Sequence, residues 1–319
     1  MAQVSVHEPL LPSRTVHQFP IPTWIENLAV RSNGQLLVTL TSTPDLFLVD
    51  PADASKTVLI HRFPEVSGLA GIIEVEHDTF YVAGCNFDLK TFSIEAGSSV
   101  LWQIDMTHFD KTSNAAVKKI MNLTRMGLPN GMELLSKLNR TILAADSEKG
   151  AVFKIDIASG KHEIAIAVDD MKNPENPTVP IAVNGIKIRT GYLYWTTTSK
   201  ALFCRIKIDE DGTAAGDVEI LEQGLIGDDF CFDHKGNAWL AQNPLNTVAV
   251  VKAQGGTVTV AGKLDQLTLA GGTACQFDRK SGNEHILYVV TTGGLGGPVN
   301  GTDVEGGKVT AIDTSKFKY

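Results

Sequence analysis

The sequence points to an all-β protein, a six-bladed β-propeller built by residues 1–319 as one domain. Short runs of Val, Ile, Leu, Phe and Tyr bounded by Gly, Asn, Asp and Pro recur along the chain, the pattern of strands closed by turns. Helical periodicity is scarce: the best stretch, "TSNAAVKKIMNLT" from Thr112, is short and lacks strong caps. A single plan also repeats six times, and this decides the architecture.

The plan is a small or polar opening with an apolar strand, a turn, a second strand and a third. Openings fall at "WIENLAV" (Trp24), "GLAGIIEV" (Gly68), "LPNGMELL" (Leu128), "AVNGIKI" (Ala182), "GDDFCFD" (Gly227) and "AGGTACQFD" (Ala270), at offsets of 44, 60, 54, 45 and 43 residues. Second strands follow as "QLLVTLT", "TFYVAGC", "RTILAADS", "GYLYWTTTS", "NAWLAQN" and "ILYVVTT". Third strands, such as "LFLVD", "SVLWQID", "GAVFKID" and "GKVTAID", often end in Asp. Ser32-Asn33-Gly34 and Lys235-Gly236-Asn237 join first and second strands at hairpin length. A period of about 40 to 60 residues with three or four strands per unit suits a propeller; a solenoid repeats more tightly and a sandwich does not repeat this way. "RTVHQFPI" precedes the first opening and is free to serve as the outer strand of the last blade. The ring is therefore expected to close with the segment around Thr15 to Pro20 paired against Lys308 to Asp313.

Composition narrows the function. Net charge is −8, and no run of Lys or Arg exceeds a pair, so nucleic acid and anionic membrane are poor partners. Apolar stretches fall far short of the roughly 20 residues needed to span a bilayer. "MAQVSVHEPLLPSRTVHQFP" does not read as a secretory signal, so a cytoplasmic location is expected and the sequons at Asn122, Asn139 and Asn300 are chance matches. Cys85, Cys204, Cys231 and Cys275 show no C-x-x-C pattern and are expected as reduced core thiols.

The first strand of every propeller blade lines the central channel, so matched opening positions converge on the axis. Those positions carry Glu26, Asn130, Asn184 and Asp228 in blades one, three, four and five. Blades two and six bring only the small residues Gly68 to Gly71 and Gly271 to Thr273. Glu26 is otherwise hard to explain, a lone carboxylate in the apolar run "PIPTWIENLAV". Any one of these polar residues could merely satisfy backbone, and Asn before Gly is a common turn pair. Four at matched positions favour one site. Its oxygens suit a hard divalent cation, Ca²⁺ or Mg²⁺, with Glu26, Asn184 and Asp228 as ligands if a metal is bound. Second strands ending on the same face are expected to bring Thr41, Asn86, Asp146, Thr197, Gln242, Asn243 and Thr292 to the rim. Trp24, Asn86, Phe87, Met132, Trp195, Phe230 and Thr273 are the candidate substrate contacts, with inter-blade core as the plainer reading of each aromatic.

The order of blades and openings resembles the regucalcin/gluconolactonase family of six-bladed propellers across nearly the whole chain. In that family, Glu, Asn and Asp of the first, fourth and fifth blades hold a divalent metal, and a third-blade Asn helps bind substrate. The resemblance carries those roles to Glu26, Asn184, Asp228 and Asn130. Departures are informative: Glu26 follows Trp24-Ile25, the family's Asn-Asp-Gly becomes Asn130-Gly131-Met132, and its Pro-Asp-Gly becomes Gly227-Asp228-Asp229-Phe230. Each exchanges a polar or flexible residue for a bulky apolar one, which weighs against sugar-lactone hydrolysis. With "PTWIENLAVRSNGQLLVT" and "VNGIKI", the chain resembles a fungal branch that includes the hetero-Diels–Alderases of tropolonic sesquiterpene biosynthesis.

Other chemistries find less support. The histidines form no ligand-spaced pair, no G-x-S-x-G is present, and "GGLGG" at Gly293 to Gly297 lacks the Lys-Ser/Thr of a phosphate loop and reads as a mobile loop. Three functions stay open. In a cycloaddition enzyme, needing no cofactor, Asn130 and Asn184 would polarise a heterodiene oxygen, while Glu26 or Asp228 assists loss of water from a hydroxylated precursor. In a metal-dependent lactonase, the ion would activate water. A binding propeller would do neither. All three imply small, largely apolar or aromatic molecules as partners.

Overall fold

A computed structural model describes residues 10–318. The reading of the extreme N-terminus rests partly on residues 1–9, which lie outside the described residues. Six four-stranded antiparallel sheets are arranged as the blades of a propeller. Their innermost strands are Ile25–Val30, Gly68–Glu76, Pro129–Ser136, Val183–Arg189, Phe230–Phe232 and Gly272–Phe277. Each packs against the inner strand of the next blade and the last returns to the first, so the six surround a central channel.

Ring closure follows the sequence expectation. Ser13–Gln18 is the outer strand of blade six, antiparallel to Lys308–Asp313, with Ser13 opposite Ile312 and Gln18 opposite Lys308. The first described strand thus fastens the last blade.

Alternation along each strand sends side chains to either face of a sheet. In stacked blades both faces are buried, which explains the near-continuous burial of second strands such as Leu36–Leu40 and Thr79–Cys85. Six apolar clusters fill the six gaps between neighbouring sheets. All four cysteines are buried as free thiols. The Asp residues that end third strands also have a reason. Asp50, Asp105, Asp156 and Asp313 each accept, at Oδ1, the backbone N–H two residues on, at 2.9–3.0 Å, turning the chain outward.

The stretch with the strongest helical character proves to be mostly strand. Of it only Thr112, the last residue of the short helix Phe109–Thr112, is helical, and Ala116–Asn122 forms the outer strand of blade two, where tertiary pairing overrides a weak local preference. No helix among the described residues is long and apolar enough to cross a membrane.

Candidate active site

The inner strands carry register irregularities at the opening positions: between Ile25 and Asn27, Leu69 and Ile72, Pro129 and Met132, Val183 and Ile186, and Gly272 and Ala274. A bulge re-aims a side chain that would otherwise lie between sheets. Glu26, Asn130 and Asn184 sit in three of them, so Asn-Gly here marks a bulge and not a turn. The glycines allow the close approach that six strands around one axis demand. A Cβ on Gly131 would lie 2.5 Å from the Asn184 carbonyl oxygen, and one on Gly185 would lie 2.2 Å from Asp229 Oδ1.

At one mouth of the channel lies a cavity of about 390 Å³. Glu26, Asn130, Asn184 and Asp228 all face it, joined by Asn243. These side chains form a hydrogen-bonded floor. Trp24 Nε1 donates to Glu26 Oε2 at 2.7 Å, and Asn130 Nδ2 donates to Glu26 Oε1 at 3.1 Å. Asn184 Nδ2 donates to Asp228 Oδ1 at 2.7 Å, and Asn243 Nδ2 reaches Asp228 Oδ2 at 3.4 Å. Above the floor the wall is apolar, with Trp24, Phe87, Phe92, Leu128, Ile181 and Ile226 among its residues.

Burial pushes the Glu26 carboxyl up to about 7, against the pull of its Trp24 and Asn130 hydrogen bonds, and the charge of Asp229 adds to the rise. Burial also lifts Asp228 well above the carboxylate range, and the neighbouring Glu26 charge raises it further. Near neutral pH such a pair retains a proton, giving one acid and one base within a single site.

A divalent ion would require Glu26, Asn184 and Asp228 to turn oxygen lone pairs on a common point. Thr198 Oγ1 donates to the Gly227 carbonyl at 2.8 Å, so it must accept from Asn184 Nδ2 at 3.1 Å. That fixes the amide with its N–H groups toward Asp228 and Thr198, leaving Asn184 Oδ1 buried without a partner and turned from Asp228. Glu26 likewise faces an indole N–H, a group that can only donate. The donors around these carboxylates suit an acid pair, and the unpartnered Asn184 Oδ1 is the one amide oxygen left over for a divalent ion beside Glu26 and Asp228. The same geometry changes the role of Asn184: both its N–H groups are engaged, so it holds Asp228, whereas Asn130 and Asn243 each retain an N–H for a substrate oxygen.

Other expected contacts need correction. Of the candidate substrate residues, Trp24 and Phe87 line the cavity. Met132, Trp195 and Phe230 lie between blades, because strand alternation points them sideways. Thr273 is spent on backbone, its Oγ1 donating to the Ile25 carbonyl at 2.8 Å and so tying blade six to blade one. Asn86 binds Glu95 Oε2 at 2.7 Å beside the cavity and not within it. Accordingly, Phe230→Ala is expected to cost about 3–5 kcal/mol of stability, measured by urea unfolding, as for other buried aromatics. A stable Phe230→Ala protein with altered reaction selectivity would restore it to the wall.

Several wall residues escaped the sequence reading. Phe92, Val179, Ile181, Pro244 and Gly296 come from connections between strands. The 60- and 54-residue offsets were the signal for Phe92, Val179 and Ile181, since blade units this long must carry insertions; Pro244 and Gly296 had no such signal. "GGLGG", expected as a mobile loop, contributes wall: a Cβ on Gly296 would come within 2.8 Å of the Trp24 ring.

No family model matches the chain. Two curated relatives carry the name "Putative hetero-Diels-Alderase". One, from Phoma sp, is 30% identical over 314 residues, covering 89% of this chain and 87% of its own. The other, from Sarocladium schorii, is 30% identical over 345 aligned positions, covering 97% and 85%. Among solved structures, the calcium-binding protein regucalcin from Agrobacterium tumefaciens matches with a TM-score of 0.65 at 13% identity, over 95% of this chain and 93% of that one. A luciferin-regenerating enzyme matches equally, at 0.65 and 13%, over 96% of both. At such identities the solved structures speak for the fold alone.

Proposed function

The chain belongs to the hetero-Diels-Alderase family, and from that premise we propose that its cavity joins a quinone-methide heterodiene of the tropolone type to an apolar, humulene-type terpene alkene. The observation that carries this reading is the cavity's division, an apolar aromatic wall over a floor of two carboxyls held by N–H donors. A concerted cycloaddition needs no nucleophile. It needs two reactants held in attack geometry, worth about 7–11 kcal/mol in favourable cases, and donors aimed at the oxygen that gains charge.

The floor provides for both stages. In the first, the protonated carboxyl of the Glu26–Asp228 pair delivers its proton to the leaving hydroxyl of a hydroxymethyl precursor. The ionised partner removes the proton of the ring hydroxyl. The C–O bond breaks, water departs and the quinone methide results, with one proton taken up for each released. In the second, the free N–H groups of Asn130 and Asn243 bind the heterodiene carbonyl while the wall presses the alkene against it. Lactone hydrolysis, which a regucalcin-like fold keeps in view, would work through an ion held by Glu26, Asn184 and Asp228 and would have no use for the apolar wall.

The test is direct. Purified protein, a hydroxymethyl tropolone and a humulene-type triene are incubated together, and adducts are resolved by chiral chromatography. One enantiomer formed faster than in buffer is the expected outcome. Racemic adduct at the background rate, together with hydrolysis in a parallel lactone panel, would overturn the reading.

A further inference from the structure

Between the second and third strands of blade two the chain leaves the sheet and forms a small hairpin, Phe87–Asp88 paired with Ser93–Ile94. It is pinned at its base, where the Phe87 N–H donates to Ser67 Oγ at 2.8 Å and the Glu95 N–H donates to the Asn86 carbonyl at 3.0 Å. Its polar residues serve the hairpin itself: Asp88 Oδ1 accepts the Lys90 N–H at 2.8 Å, and the Thr91 and Ser93 hydroxyls lie 2.7 Å apart. Only its aromatic rings, Phe87 and Phe92, line the cavity.

Phe92 has φ of +54°, in the left-handed region. Among the described non-glycine residues with positive φ, it is the one aromatic; the others are Asp78, Ser113, Arg140, Asn176, Thr190, Ala201, Asn246 and Asn300. A bulky side chain in this conformation is a true outlier, and such strain persists only where the surroundings over-determine it. Here the surroundings are the cavity. The Phe92 ring stands edge-on to Phe87 at 5.8 Å between centroids and edge-on to Trp24 at 6.5 Å. Trp24, backed by Gly296, is the residue whose indole N–H holds Glu26. A relaxed turn would suit Gly or Asn at this position and would leave the mouth without its third ring.

We propose that Phe92 is a specificity-determining residue: carried by the hairpin over the mouth, its ring sets the length and width of the compartment that takes the apolar hydrocarbon reactant. The inference rests on the cavity being the reaction site of the reading above, but it is a statement about binding and is testable without turnover.

Trp24 supplies the probe, because Trp102, Trp195 and Trp239 are buried between blades, away from the cavity. Quenching of tryptophan fluorescence is followed while a fifteen-carbon cyclic triene hydrocarbon, and separately a twenty-carbon homologue, is titrated into wild type, Phe92→Leu, Phe92→Ala and Phe92→Gly; Trp24→Phe gives the blank. Shortening the ring is expected to weaken binding of the smaller hydrocarbon about tenfold and to leave the larger unchanged or tighter, reversing the preference in the alanine and glycine variants. Glycine takes a positive φ freely, so Phe92→Gly should melt roughly 2 °C above Phe92→Ala. That gap separates release of strain from loss of the ring. A size preference that stays within twofold across all Phe92 variants would overturn the proposal, whatever the melting temperatures. Should the preference shift while no variant, nor wild type, forms adduct, the specificity assignment stands and the cycloaddition reading falls. Enantioselective adduct with an unmoved preference reports the opposite.

Discussion

Glu26→Gln is expected to make the protein more stable at pH 8 while disabling it on the hydroxylated precursor. Folded, the Glu26 carboxyl holds its proton up to about pH 7; unfolded, it releases it near 4.5. Below 4.5 both states are protonated and the residue exacts no pH-dependent cost. Between 4.5 and 7 the unfolded chain ionises first, so stability declines as pH rises, and above about 7 the full cost is present. At about 1.4 kcal/mol per pH unit the span corresponds to about 3 kcal/mol, reduced to about 2 because the carboxyl borders a cavity that water can enter. Glutamine removes the ionisation and still accepts the Trp24 N–H, while Asn130 turns its amide over to meet the new NH₂. Urea unfolding should therefore show near equality at pH 4 and a gain of about 2 kcal/mol for the variant at pH 8. A difference independent of pH would refute the assignment. Activity should move the other way. Losing a general acid or base costs about 10²–10⁴ in rate, so adduct formation from the hydroxymethyl precursor should collapse. With quinone methide generated independently, by photolysis, the variant should lose far less of its rate than with the precursor, because shape survives and Asn243 still polarises the carbonyl although the turned Asn130 does not. Equal losses on both substrates would remove Glu26 from the dehydration step.

The architecture was legible because propeller blades repeat and because strands buried on both faces stand out as apolar runs. Spacing alone placed the six inner strands and the closing strand Ser13–Gln18. The outer strands were not separable as units. Val58–Arg62, Ala116–Asn122 and Ala214–Gln223 are largely exposed, and they carry the mixed composition of any surface segment. In the site, the four floor residues could be read from matched openings. Their orientation rested on the bulges, whose Asn-Gly signature is shared with ordinary turns. What the floor residues do for one another stayed hidden: alternation puts Trp24 and Glu26, two apart, on one side, but spacing does not say that the indole N–H meets the carboxylate. The wall was harder still. Met132, Trp195 and Phe230 lie on inner and second strands whose two faces are both buried between sheets, and only a bulge at an opening turns a side chain to the channel. Phe92 and Gly296 lie in connections whose paths no periodicity encodes.

Trp24 joins wall and floor, and its variants separate the two contributions. Its ring lines the cavity between Phe92 and Gly296, while its indole N–H binds Glu26 at 2.7 Å. Trp24→Phe retains most of the ring and loses the donor. It is expected to lower kcat/KM about tenfold from the hydroxymethyl precursor and to leave reaction of preformed quinone methide within about threefold. Trp24→Ala loses both and opens the mouth. Attack geometry then slackens, and a misplacement of about 1 Å can cost 10²-fold, so kcat/KM should fall about 100-fold on either substrate and the enantiomeric ratio should drift toward racemic. Truncating a buried aromatic also costs about 3–5 kcal/mol of stability, so circular dichroism must first show each variant folded under assay conditions. A chelator arm completes the set: prolonged EDTA treatment followed by gel filtration should leave wild-type activity unchanged, because the floor is arranged around N–H donors. Activity abolished by EDTA and restored by Ca²⁺ or Mg²⁺, with Trp24→Ala as active as wild type, would mean that an ion and not the aromatic wall drives the chemistry. The lactonase reading would then take its place.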